Sequence, residues 1–541
     1  IKEKQSTDIL VKLPNGIIRG RQSLTTTKRP YWAFQKIPFA SPPIGNLRFQ
    51  APTPPKNWKG ILNTTQNDVI CYQVPSNSPL ESEDCLYLNV YTPRYPHQFF
   101  NWSLPVMFYI YGGGFIEGNC LDHIYGPEFL LDRDVIVVAT NYRVGPLGFL
   151  STQDMVIPGN NGLKDQLLAL EWTHSNIHLF GGDPSKITIF GQSAGSASVT
   201  YHMLNTKSEG LFRGAICESG SFLCPWAYQR DARSYAFRTA ALLNKSFESS
   251  ESSEELLRFL QSVSAEDLDE ASYKISLTEN HQNRQISQGF FYAPVIEPEH
   301  DGAFLTKKMY GQLKNGDFIK VPTLMGINSE ENVFYAYLPE WLSQAMATYD
   351  ANLDWLVPDD MRITDLEKRR EVGAEIRNIY TVMKNQFYSD NSYTRPIIKH
   401  AELQSKFTNV YFYQFSYDGK LGNFSFSIEG AENITHGEEN KYIWRMHDPY
   451  YDNSDLSIFP ADDRATQYRI QQIWTDFAKF LNPTPYKSSL LQNTKWPTFS
   501  SKRSYVDILK NLEIKNDPKN RTYPGWNKIY DSLGYDDFDT Y

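Results

Sequence analysis

The sequence predicts an α/β fold in which a large, mostly parallel central sheet is flanked by helices. Runs of β-branched and aromatic residues, such as Leu104 to Tyr111 and Lys186 to Phe190, indicate buried strands. Segments with apolar residues at helical spacing, such as Leu163 to Phe180, lie between such runs. This alternation is typical of a parallel sheet covered by helices on both faces. Because the candidate catalytic residues described below are spread along most of the chain, we expect one domain over residues 1–541.

The strand at Lys186 to Phe190 leads directly into the stretch Gly191-Gln192-Ser193-Ala194-Gly195, and a predicted helix at Ala194 to Leu204 follows. A Gly-x-Ser-x-Gly turn between a strand and a helix is the nucleophile elbow of an α/β-hydrolase. The turn is strained and exposes the serine hydroxyl at a helix N-terminus, where the helix dipole and free N–H groups favour a developing negative charge. We therefore predict the α/β-hydrolase fold, with Ser193 as the nucleophile.

Three consecutive glycines, Gly112, Gly113 and Gly114, follow the predicted strand that ends at Tyr111. Glycines in this place let backbone N–H groups point into a site without side chains in the way. The tetrahedral intermediates of acyl transfer need such donors. Upstream of a nucleophile elbow, the stretch is interpreted as an oxyanion loop.

Two helical segments, Phe247 to Ala271 and Tyr349 to Tyr393, interrupt the alternation of strands and helices. Both are rich in charged residues, and neither has the length or composition of an independent domain. We expect them to be helical excursions inserted around a catalytic gorge.

The charge and composition argue against several classes of partner. The formal net charge is −9 and no block of Lys and Arg is present, which argues against binding to nucleic acid or to an anionic membrane. The longest apolar run, Leu104 to Ile116, contains three glycines and is too short to span a bilayer. We expect no transmembrane segment and a small molecule as the substrate.

Several features together predict a secreted glycoprotein. The chain starts at Ile1 rather than Met, as a processed mature form would. Its five cysteines leave at least one thiol unpaired within the chain. The predicted glycosylation sites are the Asn-x-Ser/Thr sequons at Asn63, Asn101, Asn244, Asn423, Asn433 and Asn520.

A nucleophilic serine needs a base, and the base needs an acid that fixes its tautomer. In this fold the acid follows the nucleophile along the chain and the histidine comes last. Glu330 and Glu331 both lie just past the strand predicted at Pro322 to Gly326, and their positions in the sequence do not separate them. The candidate bases are His400, His436 and His447, of which His436 stands in a predicted loop after a later strand.

Motifs spread over almost the whole chain carry a family resemblance. They are Pro43 to Pro52, Glu83 to Val90, Tyr111 to Phe115, Asn141 to Gly145, Asn161 to Gln166, Phe180 to Pro184, the elbow, Ser219 to Ser221, Gly326 to Glu331 and Trp474 to Lys479. On these stretches the chain resembles the type-B carboxylesterases, the family that includes the cholinesterases, and more closely the insect carboxylesterases.

The resemblance implies which of the candidate residues act. Glu331 occupies the family's acid position and His436 its base position. Gly113, Gly114 and Ala194 match the three N–H donors of the family's oxyanion hole. No metal and no organic cofactor is implied. The expected function is hydrolysis of an apolar carboxylic ester through a Ser-His-Glu triad and an acyl-enzyme.

The resemblance also implies supporting residues. Ser219 matches a hydroxyl near the acid, and Trp226 matches a wall of the acyl pocket. The implied covalent and ionic pairs are the disulfide Cys71–Cys85 and the buried ion pairs Arg48–Glu83 and Arg143–Asp165.

Departures from the family pattern bear on the substrate. Gln192 stands where the family usually has Glu, as in insect juvenile hormone esterases, and the disulfide loop contains Tyr72 but no Trp. Both features argue against a cationic choline ester. The alternatives are a juvenile hormone esterase, a venom carboxylesterase and, more remotely, a catalytically inactive binding ectodomain. Such inactive relatives lose triad members, whereas Ser193, Glu331 and His436 are all present here.

Overall fold

A large sheet of mixed strand direction forms the centre of the structure, a computed structural model that describes residues 8–96, 103–282, 290–333, 344, 347–380, 386–422, 432–500 and 502–541. The strands in chain order are β1 (Asp8–Leu13), β2 (Gly16–Leu24), β3 (Pro30–Pro38), β4 (Ile61–Asn63), β5 (Ile70–Cys71), β6 (Glu81–Ser82), β7 (Tyr87–Thr92), β8 (Leu104–Ile110), β9 (Ile136–Thr140), β10 (Gly182–Gln192), β11 (Gly214–Glu218), β12 (Thr323–Asn328), β13 (Val410–Phe415), β14 (Ser504–Ile508) and β15 (Leu512–Asn516). All except β5 and β6, which pair with each other, belong to the large sheet.

The strand order places the elbow near the middle of the sheet. It is β1-β2-β3-β7-β9-β8-β10-β11-β12-β13-β14-β15, with β4 paired to β2. Within this order, each strand from β9 to β14 is parallel to the next. The strands from β1 to β9 at one margin pair antiparallel, as do β14 and β15 at the other. Ligands of open α/β sheets bind beyond the carboxyl ends of the parallel strands. Ser193 directly follows β10 and therefore lies at that edge.

Helices pack against the sheet and extend beyond it. They are α1 (Glu128–Leu131), α2 (Gly145–Phe149), α3 (Asn161–Asn176), α4 (Ala194–Leu204), α5 (Ala232–Leu243), α6 (Ser253–Ser262), α7 (Ala265–Gln282), α8 (Met309–Asn315), α9 (Leu366–Ile379), α10 (Gln386–Ser389), α11 (Arg395–Gln404), α12 (Asn440–Ile443), α13 (Ala461–Phe480) and α14 (Tyr523–Ser532). Helix α4 contacts β8, β10 and β11, and α13 contacts β8 and β10. The predicted α/β-hydrolase fold is confirmed.

The central strands are buried along their whole length. Every residue of β8, β9, β12 and β13 is buried. Strands covered on both faces read as continuous apolar runs rather than alternating ones, which is why these segments stand out in the sequence.

Element boundaries around the elbow strand differ from the prediction. Strand β10 begins at Gly182, four residues earlier than expected, because Gly182 already pairs with Leu104 of β8. The helix predicted at Leu163 to Phe180, which precedes β10, is α-helical from Asn161 to Asn176, and Ile177–Phe180 forms a tighter 3₁₀ turn. That turn is closed by Gly181 at φ 84°, a conformation that glycine adopts without steric cost.

The two predicted excursions are helical, but the first is not merely an exposed insertion. Helices α6 and α7 cover most of it, and their residues Leu256, Leu260 and Leu268 are fully buried. The second contains α9, α10 and a π-helix at Asp390–Thr394, while its residues 381–385 lie outside the described part of the chain.

Two ion pairs link distant segments near the sheet: Arg143–Asp165 is buried as predicted, whereas the Glu83 carboxylate of the other pair is only half-buried. Arg143 binds Asp165 through Nε and Nη2 at 2.8 and 2.7 Å, and its backbone N–H donates to the same carboxylate at 3.0 Å. Arg48 binds Glu83 and also donates through Nη1 to the carbonyl oxygen of Leu260 at 2.8 Å. The second pair therefore ties the disulfide loop to α6.

The cysteines divide into one bonded pair and three thiols. Cys71 and Cys85 form a disulfide that closes the loop carrying β5 and β6. Cys120, Cys217 and Cys224 are free and buried. Burial raises the pKa of all three thiols well above the ordinary value, so they remain protonated near neutral pH.

No helix in the described ranges is both long and apolar enough to cross a membrane.

Removing one partner of the Arg143–Asp165 pair should strongly destabilise the fold. Asp165→Ala leaves the buried Arg143 guanidinium uncompensated, and such changes cost about 3–5 kcal/mol of unfolding free energy. The matched control is Glu270→Ala, which breaks the exposed Lys274–Glu270 pair and should cost less than about 1 kcal/mol. Denaturant unfolding measures both values, and equal losses would contradict the assignment.

Candidate active site

Ser193 lies between β10 and α4 in a strained backbone conformation with positive φ, at φ 59° and ψ −124°. Its N–H donates to the Glu218 carbonyl oxygen at 2.8 Å, and its carbonyl oxygen accepts from the Ala197 N–H at 2.9 Å. A Cβ added at Gly195 would lie 2.0 Å from the Ile110 carbonyl oxygen, so only glycine fits there. The tight packing of helix, strand and turn holds Ser193 at the head of α4.

The glycine loop after β8 lies against Ser193. A Cβ added at Gly112 would lie 2.9 Å from the Cβ of Ser193. Gly113 and Gly114 have φ of 107° and 60°, values that glycine adopts readily and other residues rarely. Within the described ranges, no backbone carbonyl accepts from the N–H groups of Gly113, Gly114 or Ala194. These donors are therefore available to an oxyanion.

His436 and Glu331 form a hydrogen-bonded pair beside this turn. His436 Nδ1 lies 2.7 Å from Glu331 Oε2, and the backbone N–H of His436 donates to the Glu331 carbonyl oxygen at 2.9 Å. The second carboxylate oxygen of Glu331 accepts from the Asn328 N–H at 2.8 Å. Glu331 is fully buried. The carboxylate thus fixes the ring's orientation and its Nδ1–H tautomer.

The neighbouring Glu330 faces a different environment. Its Oε1 accepts from the Ser389 hydroxyl at 2.5 Å, and its backbone N–H donates to the Ile434 carbonyl oxygen at 3.0 Å. Burial raises the pKa of Glu330 to about 7, and the positive charge of Lys519 moderates the rise. Of the two glutamates, Glu331 contacts His436.

The other two candidate bases have different partners. His400 is buried, with Nδ1 2.7 Å from the Ser221 hydroxyl and Nε2 3.0 Å from Gln404 Oε1. Burial lowers the pKa of His400 to about 3, so it stays neutral. His447 is exposed and pairs with Asp452 at 2.7 Å. Neither histidine contacts Glu331.

The side chain of Gln192 reaches the far nitrogen of His436. Gln192 Nε2 lies 3.1 Å from His436 Nε2. A Cβ added at Gly437 would lie 3.3 Å from that amide nitrogen, and one added at Gly112 would lie 3.0 Å from Gln192 Oε1. The carboxamide is therefore held between the glycine loop and the histidine loop, and it is 8% exposed.

Aromatic rings form a wall around Trp226. Its ring centroid lies 5.6 Å from that of Tyr393, 5.7 Å from Phe290 and 6.3 Å from Phe115. Tyr393 also packs on the imidazole of His436 at 4.3 Å between centroids. The aromatic cluster therefore extends from Trp226 to the imidazole of His436.

Tyr393 belongs to the π-helix at Asp390–Thr394, where the chain makes one wider turn between α10 and α11. The indole N–H of Trp226 donates to the Ser392 carbonyl oxygen at 2.7 Å, which joins this turn to the aromatic wall. π-Helical turns are frequent at functional sites. Tyr393 and Phe290 were not among the predicted site residues, because no sequence motif marks either ring. Phe115 ends the family stretch Tyr111 to Phe115, but its contact with Trp226 was not predicted.

The carboxylesterase family model matches residues 7–526, almost the whole chain. The chain belongs to the carboxylesterase family. It is therefore a carboxylic ester hydrolase of the serine class.

Relatives of this carboxylesterase include several insect enzymes. The juvenile hormone esterase of Tribolium castaneum is 32% identical over 90% of this chain and 85% of its own length. Venom carboxylesterase-6 of Apis mellifera is 31% identical over 95% of this chain and 93% of its own length. The crystal structure of the Manduca sexta juvenile hormone esterase, solved with OTFP covalently attached, superposes with a TM-score of 0.84 at 26% identity. It covers 97% of this chain and 100% of its own.

Two more buried carboxyl groups of this carboxylesterase lie close behind the histidine. Glu218 accepts from the Trp474 indole N–H at 2.6 Å, and burial with the nearby Glu439 raises its pKa well above the ordinary value. Glu439 accepts from the Asn328 amide at 2.5 Å, and burial together with Glu331 raises its pKa to about 7. Near neutral pH this region therefore carries less negative charge than it would if every carboxyl group were ionised.

Ser219 directly follows β11, with φ 53° and its N–H donating to the Gly326 carbonyl oxygen at 3.0 Å. Its buried hydroxyl oxygen has no hydrogen-bond partner in the described part of the protein. The predicted contact of this hydroxyl with the acid therefore stays a prediction.

The predicted glycosylation sites differ in accessibility. Three are exposed, namely Asn63, Asn244 and Asn520. Asn433 is half-buried, and its amide donates to Asp418 Oδ2 at 3.2 Å. Asn101 and Asn423 lie outside the described residues.

No cluster of three or more His, Cys, Asp or Glu side chains suited to a metal ion occurs within the described ranges.

Proposed function

We propose that this carboxylesterase hydrolyses apolar carboxylic esters with Ser193 as nucleophile, His436 as base and Glu331 as the acid that orients it. The observation that carries the proposal is the Glu331–His436 hydrogen bond at 2.7 Å. It lies beside the elbow, because Gln192, the residue before Ser193, contacts His436 Nε2. The glycine loop with free N–H groups adjoins the same serine. These contacts support the assignment of nucleophile, base, orienting acid and oxyanion donors to one site.

The reaction follows from these positions. Ser193 Oγ attacks the ester carbonyl while His436 Nε2 takes its proton, and the N–H groups of Gly113, Gly114 and Ala194 stabilise the oxyanion. The intermediate collapses as His436 protonates the departing alcohol, which leaves an acyl-serine. Water then attacks the acyl carbonyl, His436 takes its proton, and the carboxylic acid and free serine are released.

Two features favour an apolar, uncharged substrate. The wall of Trp226, Phe290 and Tyr393 offers apolar surface beside the histidine. Gln192 supplies no negative charge where a cation would need one. Tyr72, the aromatic residue of the disulfide loop, donates its hydroxyl to Glu266 of α7 at 2.6 Å and is engaged there.

A second candidate is hydrolysis of juvenile hormone itself. The names of the Tribolium relative and of the Manduca structure favour it, as does Gln192 in the elbow. The honeybee relative is named a venom enzyme, which supports a secreted protein whatever the ester. The disulfide and the exposed sequons support the same compartment.

Ser193→Ala should fold normally and lose on the order of a millionfold in kcat, the scale seen when a triad acts as a unit. The control is Ser196→Ala, which removes a buried hydroxyl one turn along α4 that donates to the Gly220 carbonyl oxygen at 2.7 Å. It should retain most turnover. Steady-state hydrolysis of a neutral aryl ester measures both, and a Ser193→Ala enzyme with more than a tenth of wild-type activity contradicts the proposal.

Glu331→Gln should cripple turnover, because a neutral amide no longer stabilises the imidazolium that forms on His436. Glu330→Gln makes the same change one residue earlier and should retain most activity, since its carboxyl contacts Ser389 instead. Comparison of kcat for the two variants tests the assignment. The reverse pattern would place the acid at Glu330.

A panel of esters with one acyl chain should reveal a preference for uncharged alcohols. We expect kcat/KM for a neutral aryl ester to exceed that for the thiocholine ester, because the disulfide loop has no Trp to form a desolvated cation–π contact, which is worth about 2 kcal/mol. A clear thiocholine preference would overturn this expectation. Including juvenile hormone in the panel decides between the general esterase and the second candidate.

Expression in a secreting eukaryotic cell should give a protein whose mass falls on glycosidase digestion. Mass mapping should find glycans among Asn63, Asn244 and Asn520, which are exposed. The same digest should contain the Cys71–Cys85 bridge. Free thiols at both positions in the native protein would argue against secretion.

A further inference from the structure

An open groove of about 760 Å³ lies on the surface away from the candidate active site. Residues of β3, β4 and β7 line it, together with the segment 39–60 that joins β3 to β4. Much of its wall is apolar, and two of the apolar side chains, Ile44 and Leu47, are 51% and 39% exposed. The groove therefore leaves apolar surface in water within this structure.

The predicted glycosylation site Asn63 belongs to this groove. Its side chain is exposed and lines the groove at the end of β4. The hydroxyl of Thr65, the third residue of the sequon, donates to Asn63 Oδ1 at 3.1 Å. That contact engages the amide oxygen and not Nδ2, the atom that carries an N-linked sugar. A glycan on Asn63 thus begins at the groove itself.

The indole ring of Trp58 lines the same groove and is held in a fixed orientation. Its N–H donates to the Ile17 carbonyl oxygen at 3.0 Å. A Cβ added at Gly16 would lie 2.4 Å from the ring nitrogen and 2.6 and 2.7 Å from the two carbons bonded to it. Such similar distances place Gly16 over one face of the ring rather than at its edge. Trp58 is nevertheless only half-buried, so part of the ring remains accessible.

The pairing of β4 with β2 sets how far the ring lies from the sequon. Asn63 pairs with Arg19 of β2, and Ile17, which accepts the indole N–H, lies two residues earlier on the same strand. Two residues of a strand span about 7 Å. The first sugars of a chain attached at Asn63 therefore reach the ring of Trp58.

We propose that an N-linked glycan on Asn63 folds back into this groove and packs its first N-acetylglucosamine residues against Trp58. The C–H face of a pyranose ring is apolar and complements the negative face of an indole. Ser41 and Lys56 of the same groove offer polar partners to the sugar hydroxyls. Because the glycan is tethered, its effective concentration at the groove is in the millimolar range, which favours it over a free partner.

The first test measures how readily an endoglycosidase that cuts between the first two sugars cleaves the native glycoprotein. Protein secreted from cells that make only high-mannose glycans is digested over time, and mass mapping follows each site. Trp58→Ala should raise the cleavage rate at Asn63 about fivefold and leave the rate at Asn520 unchanged. The matched control Tyr450→Ala removes an aromatic ring that is 95% exposed elsewhere and should leave both rates unchanged.

The second test leaves Trp58 in place, so it decides the matter even if Trp58→Ala fails to fold. Thr65→Ala abolishes the sequon, whereas Thr65→Ser keeps it and serves as the matched control. Oxidation of Trp58 by hydroxyl radicals, read by mass spectrometry, should rise severalfold in Thr65→Ala and stay at the wild-type level in Thr65→Ser. Oxidation of the exposed Tyr450 should be the same in all three proteins.

The outcomes separate this inference from the proposed ester hydrolysis. Unchanged cleavage at Asn63 in a folded Trp58→Ala protein, or equal oxidation of Trp58 in the two Thr65 variants, would overturn the docking of the glycan. Absence of any glycan at Asn63 would overturn it as well. None of these results bears on Ser193, whose role is decided by the activity of Ser193→Ala.

Discussion

The strained backbone at Ser193 is the constraint around which the rest of the site is arranged. A non-glycine residue at φ 59° and ψ −124° costs about 1–3 kcal/mol, and it persists only where the surroundings over-determine it. Here the surroundings are backbone atoms. A Cβ at Gly195 would meet the Ile110 carbonyl oxygen, and one at Gly220 would lie 2.1 Å from the Ser193 carbonyl oxygen. Two central strands and the segment after β11 thus enclose the turn.

Three buried glutamates other than Glu331 are hydrogen-bonded to neutral side chains. Each glutamate has its own partner, Ser389 for Glu330, Trp474 for Glu218 and Asn328 for Glu439. Burial raises the pKa of these three carboxyl groups. Glu331 differs from them because it bonds directly to a histidine. The specific role of one carboxyl therefore depends on its partner rather than on its proximity to the nucleophile.

The sequence predicts those features that depend on residues close to one another in the chain. The buried strands are continuous apolar runs, and the elbow needs two glycines at fixed spacing, so both are visible in a short window. The distinction between Glu330 and Glu331 is not local, because adjacent residues past a strand face opposite ways and only the fold decides which one meets His436. The contact of Gln192 with His436 and the aromatic wall join residues far apart in the chain. No residue pattern in the sequence predicts the π-helix that contains Tyr393.

The wide separation of the site residues along the chain has a consequence during synthesis. Gln192 and His436 meet across 244 residues, and β10 lies centrally in the sheet, between β8 and β11. At about 5–20 residues per second, a ribosome needs about 12–50 s to reach the histidine after it has made the elbow. On the proposed assignment, the nascent chain then contains Ser193 before the histidine that would activate it has been made.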